Sequence, residues 1–438
     1  MILAPPPLLL RSGRVIDPSA GIDRLADVLV ENGRIAHIVP SGAPAPAGAQ
    51  VIDATGRIVC PGFVDLHTHL RFPGFPDKET IESGTRAAAA GGFTTVCAMA
   101  NTRPVVDSPR ILEHVLDECR RSACIHVHQL AAVSIGLLGE QLADLRSLSE
   151  AGAVAFSDDG KPVWKASVME EALGWSQTLD RVVSVHEEDP AVVRGGMANA
   201  GHRAARLNLP PWPCAGEATL VARDIALLEQ VGGNLHIAHV SCAETVALLR
   251  AARDRGLHVT AEVTPHHLRL TDRLLEGDPD LSLTPAHPCC KVNPPLRSEH
   301  DLEALIGALA DDLIQAVATD HAPHAQVDKS GTFVDAAFGF STIETALPLL
   351  LDLRRAHRLS LAVIVERLTC GPARVFGLDA GTLGVGSPAD VCVFDPNARW
   401  QVTGEALHSR GKNTPLLGAH LIGRVTSTIV AGRLVHSA

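Results

Sequence analysis

Between residues 58 and 321 the chain repeats one pattern eight times: a short apolar run, then a longer stretch of helical period. The runs are IVCPGFVDLH (58–67), FTTVCAMAN (93–101), IHVHQLAAV (125–133), AVAFSDD (153–159), VVSVHEE (182–188), NLHIAHVS (234–241), HVTAEVTP (258–265) and IQAVATDH (314–321). Segments between them, such as KETIESGTRAAAAGG and AETVALLRAARDRG, read as helices and end in glycine, a common helix stop. Strands alternating with helices pair in parallel. Eight such units predict an α/β fold, a closed (β/α)8 barrel of the TIM type.

The two ends read differently. ADVLVENGRIAHIVP alternates apolar and polar residues around Asn32-Gly33, a hairpin signal. ADVCVFDP and VTSTIVAGRLVHSA repeat that style near the other end, with Ala431-Gly432 at the turn. The pattern predicts a small β-sandwich domain assembled from residues 1–57 and 385–438, with the barrel, 58–384, inserted between its halves. The longest gap between barrel strands separates the seventh from the eighth and carries DPDLSLTPAHPCCKVNPPLR.

Of the 438 residues 46% are hydrophobic, enough for a large core, and the formal net charge is −11. With no basic stripe to follow a phosphate backbone, nucleic acid is excluded as a partner. An anionic substrate must instead be caught by individually placed arginines. The start, MILAPPPLLLRSG, has no positive leader region, and three prolines interrupt its apolar stretch. No apolar run reaches the roughly 18–20 residues a bilayer requires. No membrane association and a cytoplasmic location are expected. Ten cysteines without a C-x-x-C pair read as reduced thiols.

Chemistry-bearing residues gather where strands end, the face on which barrel enzymes carry their sites. The first run ends in His67-Thr68-His69, the fourth in Asp158-Asp159, the fifth reaches His186, the sixth His239 and the eighth Asp320. Residues i and i+2 share a strand face, so His67 and His69 can grip one ion. A lone His-x-His is weak evidence; four further ligand-type residues closing separate strands make metal binding the better reading. His126 and His128 also form His-x-His, but their strand continues through Val133, which puts them at the opposite end in a structural role. His266 and His267 are candidates for a supporting layer, and His202, His287 and His300 read as surface residues.

DLHTHLRFPG resembles the D-x-H-x-H-x-R-x-P-G signature of dihydroorotases. KETIESGTRAAAAGGFTTV, FSDDG, AHVSCAET, TAEVTPHHL, KVNPPLRSE and ATDHAPH are similar to that family's other blocks, in the family's order, over roughly residues 52–390. The resemblance is to the bacterial class I type, which bridges its metals with Asp. It implies interconversion of N-carbamoyl-L-aspartate and L-dihydroorotate in pyrimidine biosynthesis. It also implies two divalent ions, zinc being expected although the donors suit manganese or cobalt as well. His67 and His69 would hold one metal with Asp320; Asp159 would bridge to a second, completed by His186 and His239. A bridging hydroxide would attack the ring amide, with Asp320 as the catalytic base and acid. His69, Arg71, Asn101, Asn293 and His324 match substrate-holding positions, and Phe338 and Gly339 a segment whose backbone meets the ring. A homo-oligomer is expected, and a complex with aspartate transcarbamoylase is left open.

Two departures from the family pattern stand out. Ala100 replaces the usual proline before Asn101, which loosens the backbone that aims Asn101. Glu187 follows His186 where smaller residues are usual, and strand alternation should turn it away from the site. A hydantoinase, dihydropyrimidinase or allantoinase would carry a carboxylated lysine at the end of the fourth strand, whereas Lys161 and Lys165 lie beyond it. An inactive scaffold for aspartate transcarbamoylase would lack ligands that are all present here. Finally, 325–337 (AQVDKSGTFVDAA) is tethered at both ends to site residues, which suggests a lid hinged at Gly331.

Overall fold

The computed structural model describes residues 6–438; residues 1–5, which open the apolar N-terminal stretch, lie outside the described residues. Eight parallel strands occupy the eight predicted runs: Phe63–Thr68, Phe93–Ala98, His126–Gln129, Ala155–Phe156, Val182–Val185, Leu235–Ile237, Val259–Val263 and Ala316–Val317. Continuous ladders join the first three and the last five. Two single parallel bridges close the ring, Ala131 to Phe156 between the third and fourth strands and Thr68 to His321 between the first and eighth. Closure leaves the barrel sheet without a free edge.

The helices around this ring carry ordinary start and stop chemistry. Ile81–Ala90 begins with a Thr80/Ser83 capping box and ends at Gly91; Glu299–Ala310 begins with a Ser298/Asp301 box. In Pro109–Ser122 the buried residues Leu112, Val115 and Cys119 recur at helical spacing, the stripe that faces the strands. Inside the ring Val64, Leu66, Cys97, Ala155 and Ala316 pack with Ala373 and Phe376 of the helix Cys370–Phe376.

The chain ends build one mixed eight-stranded sheet. Ile58–Pro61 is its seam, running parallel to Leu8–Asp17 and antiparallel to Val391–Gln401. The sheet encloses a core of its own, including Leu10, Val28, Val59, Val391 and Ile429. Both predicted hairpin turns form. Asn32 and Gly33, like Ala431 and Gly432, have positive φ at both central positions, the type I′ requirement. The two turns abut, since a Cβ on Gly432 would lie 2.7 Å from the Gly33 Cα.

Two sequence expectations need correction. The first run, read as one strand over 58–67, divides at Gly62 between two sheets. The Gly62 N–H donates to Asp390 O (2.9 Å), and a Cβ there would lie 2.1 Å from Thr94 Oγ1. Only glycine lets the chain pass from one layer to the next at this spacing. The third strand stops at Gln129, not Val133, although Ala131 still bridges onward. His126 nevertheless sits as expected away from the site, its Nε2 3.1 Å from Asp390 Oδ2 beside the terminal sheet. All ten cysteines are free, and among the described residues no helix is long and apolar enough to cross a membrane.

Substitution at two glycines separates steric from entropic effects. Gly62→Ala should destabilise by about 1–3 kcal/mol through overpacking against Thr94. Gly307→Ala, inside Glu299–Ala310 with nothing within 4 Å of the added Cβ, should stabilise by about 0.5–1 kcal/mol. Chemical denaturation of both variants measures the pair.

Candidate metal centre

Two carboxylates stand at the centre of the barrel mouth, surrounded by four imidazoles. Asp159 Oδ1 lies 3.1 Å from His67 Nε2 and 3.6 Å from both His186 Nδ1 and His239 Nε2. Asp320 Oδ1 lies 3.1 Å from His69 Nε2 and 3.6 Å from His67 Nε2. All six residues are buried. Two triads have ligand atoms mutually within 4.8 Å: His67, His69 and Asp320, and His67, Asp159 and His239. The first is the set expected for one metal. In the second His67 stands where His186 was expected, and His186 approaches through Asp159 and through His239 Nε2, 2.9 Å away.

Hydrogen bonds from behind decide which nitrogens face the cluster. His67 Nδ1 lies 2.9 Å from Glu262 Oε1; a carboxylate only accepts, so Nδ1 carries the proton and Nε2 offers its lone pair. Asn101 donates through Nδ2 to Asp159 Oδ2 (3.0 Å) and Asp159 O (3.2 Å). Its Oδ1 therefore accepts from His69 Nδ1 (3.0 Å), which aims His69 Nε2 inward. His186 Nε2 donates to Glu188 Oε2 (3.2 Å), leaving Nδ1 for the cluster. Asp65 accepts from His67 N (3.2 Å), Thr319 N (2.8 Å) and the Thr68 and Thr319 hydroxyls, which joins the first and eighth strand ends. Three site residues hold backbone conformations rare outside glycine: Arg71 at φ 59°, His239 at 35° and Asp320 at 44°. Each costs about 1–3 kcal/mol and persists because the surrounding contacts over-determine it.

The charge balance fits cations. Burial alone disfavours a charged His67, yet Asp159 beside it, with Glu262 and Asp320, pulls its pKa well above the usual imidazole value. Burial would raise both aspartates, but the imidazoles hold Asp159 and Asp320 well below the usual carboxylate range. His67 Nε2 is buried without a hydrogen-bond partner, aimed between the two carboxylates. Aligned lone pairs and ionised carboxylates around one point are what divalent ions require.

A cavity of about 240 Å3 opens on this cluster, and every residue expected to hold substrate lines it: His69, Arg71, Asn101, Asn293, His324, Phe338 and Gly339. Burial pushes the Arg71 guanidinium down to about 10, so it stays charged at neutral pH; its Nε donates to Pro323 O (3.2 Å). His324 donates from Nε2 to Phe338 O (2.8 Å) and accepts from Lys78 Nζ at Nδ1 (3.3 Å); burial, with Arg71 and Lys78 nearby, lowers it to about 3. The Ala100 departure leaves Asn101 firmly aimed, because its amide is fixed by the three side-chain hydrogen bonds already named. In this arrangement Asn101 serves the ligands as well as the cavity wall.

Neighbouring residues sort as strand alternation demands. Asp158 turns outward and accepts from Val133 N (2.8 Å), Ser134 N (2.9 Å) and the Ser134 hydroxyl. Glu187 points away from the cluster toward buried Asp224. Lys161 and Lys165 are exposed, the latter with Nζ 3.4 Å from Glu140 O. His267 bonds Thr264 Oγ1 (2.8 Å) and donates to Pro294 O (3.1 Å), steadying the Asn293 loop, while His266 meets Phe340 edge-to-face. His202 and His300 are exposed; His287, expected at the surface, is half-buried and accepts from Cys289 N (3.2 Å). Sequence reading missed Glu262, Glu188 and Asp65. The signal for Glu262 was available, as the one carboxylate in the otherwise uncharged strand Val259–Val263.

A closed eight-stranded barrel with histidines and aspartates converging at its mouth defines the metal-dependent amidohydrolases. An Amidohydrolase family model matches residues 216–435, and a Dihydro-orotase-like model matches 56–245. The solved L-hydantoinase (dihydropyrimidinase) of Arthrobacter aurescens superposes with a TM-score of 0.87 at 26% identity, over 98% of this chain and 96% of its own. The dihydroorotase of Anaeromyxobacter dehalogenans is 47% identical over 98% of both chains, and that of Syntrophus aciditrophicus is 44% identical over 98% and 99%. The chain belongs to the dihydroorotase family.

The orienting role of Glu262 gives a direct test. Glu262→Gln keeps the shape but can present an N–H to His67 Nδ1, which disturbs the tautomer. Metal affinity, measured by competition with a chromophoric chelator, should fall roughly 10–100-fold with little loss of thermal stability.

Proposed function

We propose that this protein is a dihydroorotase, reversibly closing N-carbamoyl-L-aspartate to L-dihydroorotate for pyrimidine biosynthesis. The observation that carries this reading is Arg71, a half-buried, charged guanidinium in the cavity beside the ligand cluster. A cyclic amide bearing a carboxylate satisfies both at once. The planar fork of Arg71 binds that carboxylate bidentately. Asp159 at the end of the fourth strand, with no lysine in that place, favours the same substrate class over hydantoins.

His67, His69 and Asp320 would hold one divalent ion; Asp159, His186 and His239 would hold a second, and zinc suits these donors. When bound, such ions make hydroxide available near neutral pH and polarise an amide carbonyl. Asp320, held ionised by His69 and His67, takes the proton from the attacking water as the oxygen–carbon bond forms. It returns that proton to the ring nitrogen as the carbon–nitrogen bond breaks. Ring closure runs these steps in reverse. Asn293, His324 and the Phe338–Gly339 backbone hold the ring against the cluster.

We further infer a cytoplasmic enzyme acting on a small molecule, working as a homo-oligomer; association with aspartate transcarbamoylase is an outcome that co-purification would read. The chain divides into a β unit of residues 1–57 and 385–438 and a barrel of 58–384, with Ile58–Pro61 as the shared seam.

Purified protein should open dihydroorotate, lose the activity to a chelator and regain it with added zinc; turnover of hydantoin but not dihydroorotate would overturn the assignment. Within that assay, Asp320→Asn should abolish turnover by about a thousandfold or more while metal content falls less. Arg71→Met should mainly raise KM.

A further inference from the structure

The segment 325–337 is not the free lid its composition suggests. Gln326–Lys329 forms a 3-10 turn, Phe333 and Ala336 are buried, and Phe333 packs with Leu275, Leu283 and Cys290 beneath the long loop after the seventh strand. Its centre is Lys329, whose side chain runs inward and is 9% exposed. The ammonium lies 2.6 Å from Ala337 O, 2.9 Å from Lys291 O and 3.5 Å from Pro288 O. An ammonium has three donors, and three carbonyls take them.

Those carbonyls belong to the two walls of the cavity. Pro288 and Lys291 precede Asn293; Ala337 precedes Phe338 and Gly339. The Gly339 N–H also donates to Lys291 O (3.1 Å), so one carbonyl receives both the ammonium and the backbone that meets the ring. Lys291 adds a second tie, donating to Val334 O (2.8 Å) and lying over the Phe338 ring at 4.5 Å. Among the described residues no carboxylate lies within ion-pair distance of Lys329: neighbouring Asp328 turns outward to Lys78 Nζ, 3.2 Å away. Burying an ammonium on carbonyls alone is costly, and an apolar side chain would serve a merely packed loop better.

We propose that Lys329 is a positioning residue for substrate binding: its ammonium locks the Asn293 loop to the Phe338–Gly339 backbone and so sets the width of the cavity. This deepens the dihydroorotase reading and rests on it. The geometry also makes the lock sensitive to base. Burial lowers Lys329 to about 8, against the pull of Cys289, Cys290 and Asp328 and with the push of Lys291; His287 also feels its charge, and the Phe340 ring lies 5.9 Å away. A neutral amine has only two N–H groups and turns a lone pair on the third carbonyl. The lock is therefore intact below about pH 8 and weakens above it.

The test is steady-state ring opening of dihydroorotate by the metal-loaded full chain, for wild type, Lys329→Met and Lys329→Arg, from about pH 7 to about pH 9.5. Lys329→Met should raise KM about tenfold or more with kcat within about threefold and metal content unchanged. Wild-type KM should climb above about pH 8, Lys329→Met should show no such climb, and Lys329→Arg should recover part of the KM and remove the climb. A Lys329→Met KM within about twofold of wild type, or equal loss of kcat and metal, would overturn the proposal. So would a wild-type KM flat across the range, which decides the matter even if the variants do not fold. Wild type inactive on dihydroorotate would instead sink the functional reading and, with it, this proposal that rests on it.

Discussion

Asp159 and Asp320 are buried at the barrel mouth with only imidazoles within ion-pair distance among the described residues. Two ionised carboxylates in a low-dielectric site must be balanced by positive charge, or they would protonate or draw apart. The chain's own response is the raised affinity of His67 for a proton, a demand that divalent ions meet more completely. The remainder of the site follows from that need. Nitrogen lone pairs must point inward, and three of the four rings are oriented by a hydrogen bond behind them: His67 by Glu262, His69 by Asn101 and His186 by Glu188.

Barrel closure makes the cluster possible. The six ligand-type residues come from the ends of five strands, separated by up to 253 positions between His67 and Asp320. Only when the first and eighth strands meet, at the Thr68–His321 bridge, do His67, His69 and Asp320 share one ion-sized space. Asp65 reinforces this seam by accepting from residues of both strands. The strained conformations at Arg71, His239 and Asp320 occur where strands give way to loops, held by the closed ring.

The cavity wall is built by a different logic. The ligand-type residues lie in a strand or within three residues of its end, whereas Asn293, His324, Phe338 and Gly339 ride on loops that must be held from outside. Asn413, contributed by the segment leading into the terminal sheet, accepts from His324 N (2.8 Å) and donates to Ala322 O (2.9 Å) and Gly339 O (3.0 Å). Lys329 performs the matching task on the other side. The wall thus draws on distant parts of the chain, and changes in loop support can alter substrate fit while the ligand cluster stays intact.

Strand count, the barrel, both hairpin turns and the six ligand-type residues were legible in the sequence because each rests on local rules: period, turn chemistry, and polar residues closing apolar runs. Ala100 and Glu187 drew suspicion from sequence alone; side-chain hydrogen bonds around Asn101 and strand alternation answered both. The division of residues 58–67 at Gly62 was hidden, since a run entering two successive sheets looks like one strand until the layers are in place. The tautomers of His67 and His69 depended on Glu262 and Asn101, which lie 195 and 32 residues away in sequence. The polar composition of 325–337 suggested a free loop, and nothing local reveals that Lys329 finds three carbonyls inside. The sequence by itself marked which candidate residues gather at the strand ends, because strand ends and residue types are local properties. Only the tertiary structure decided how each is aimed and held, because orientation comes from contacts between segments that meet when the barrel closes.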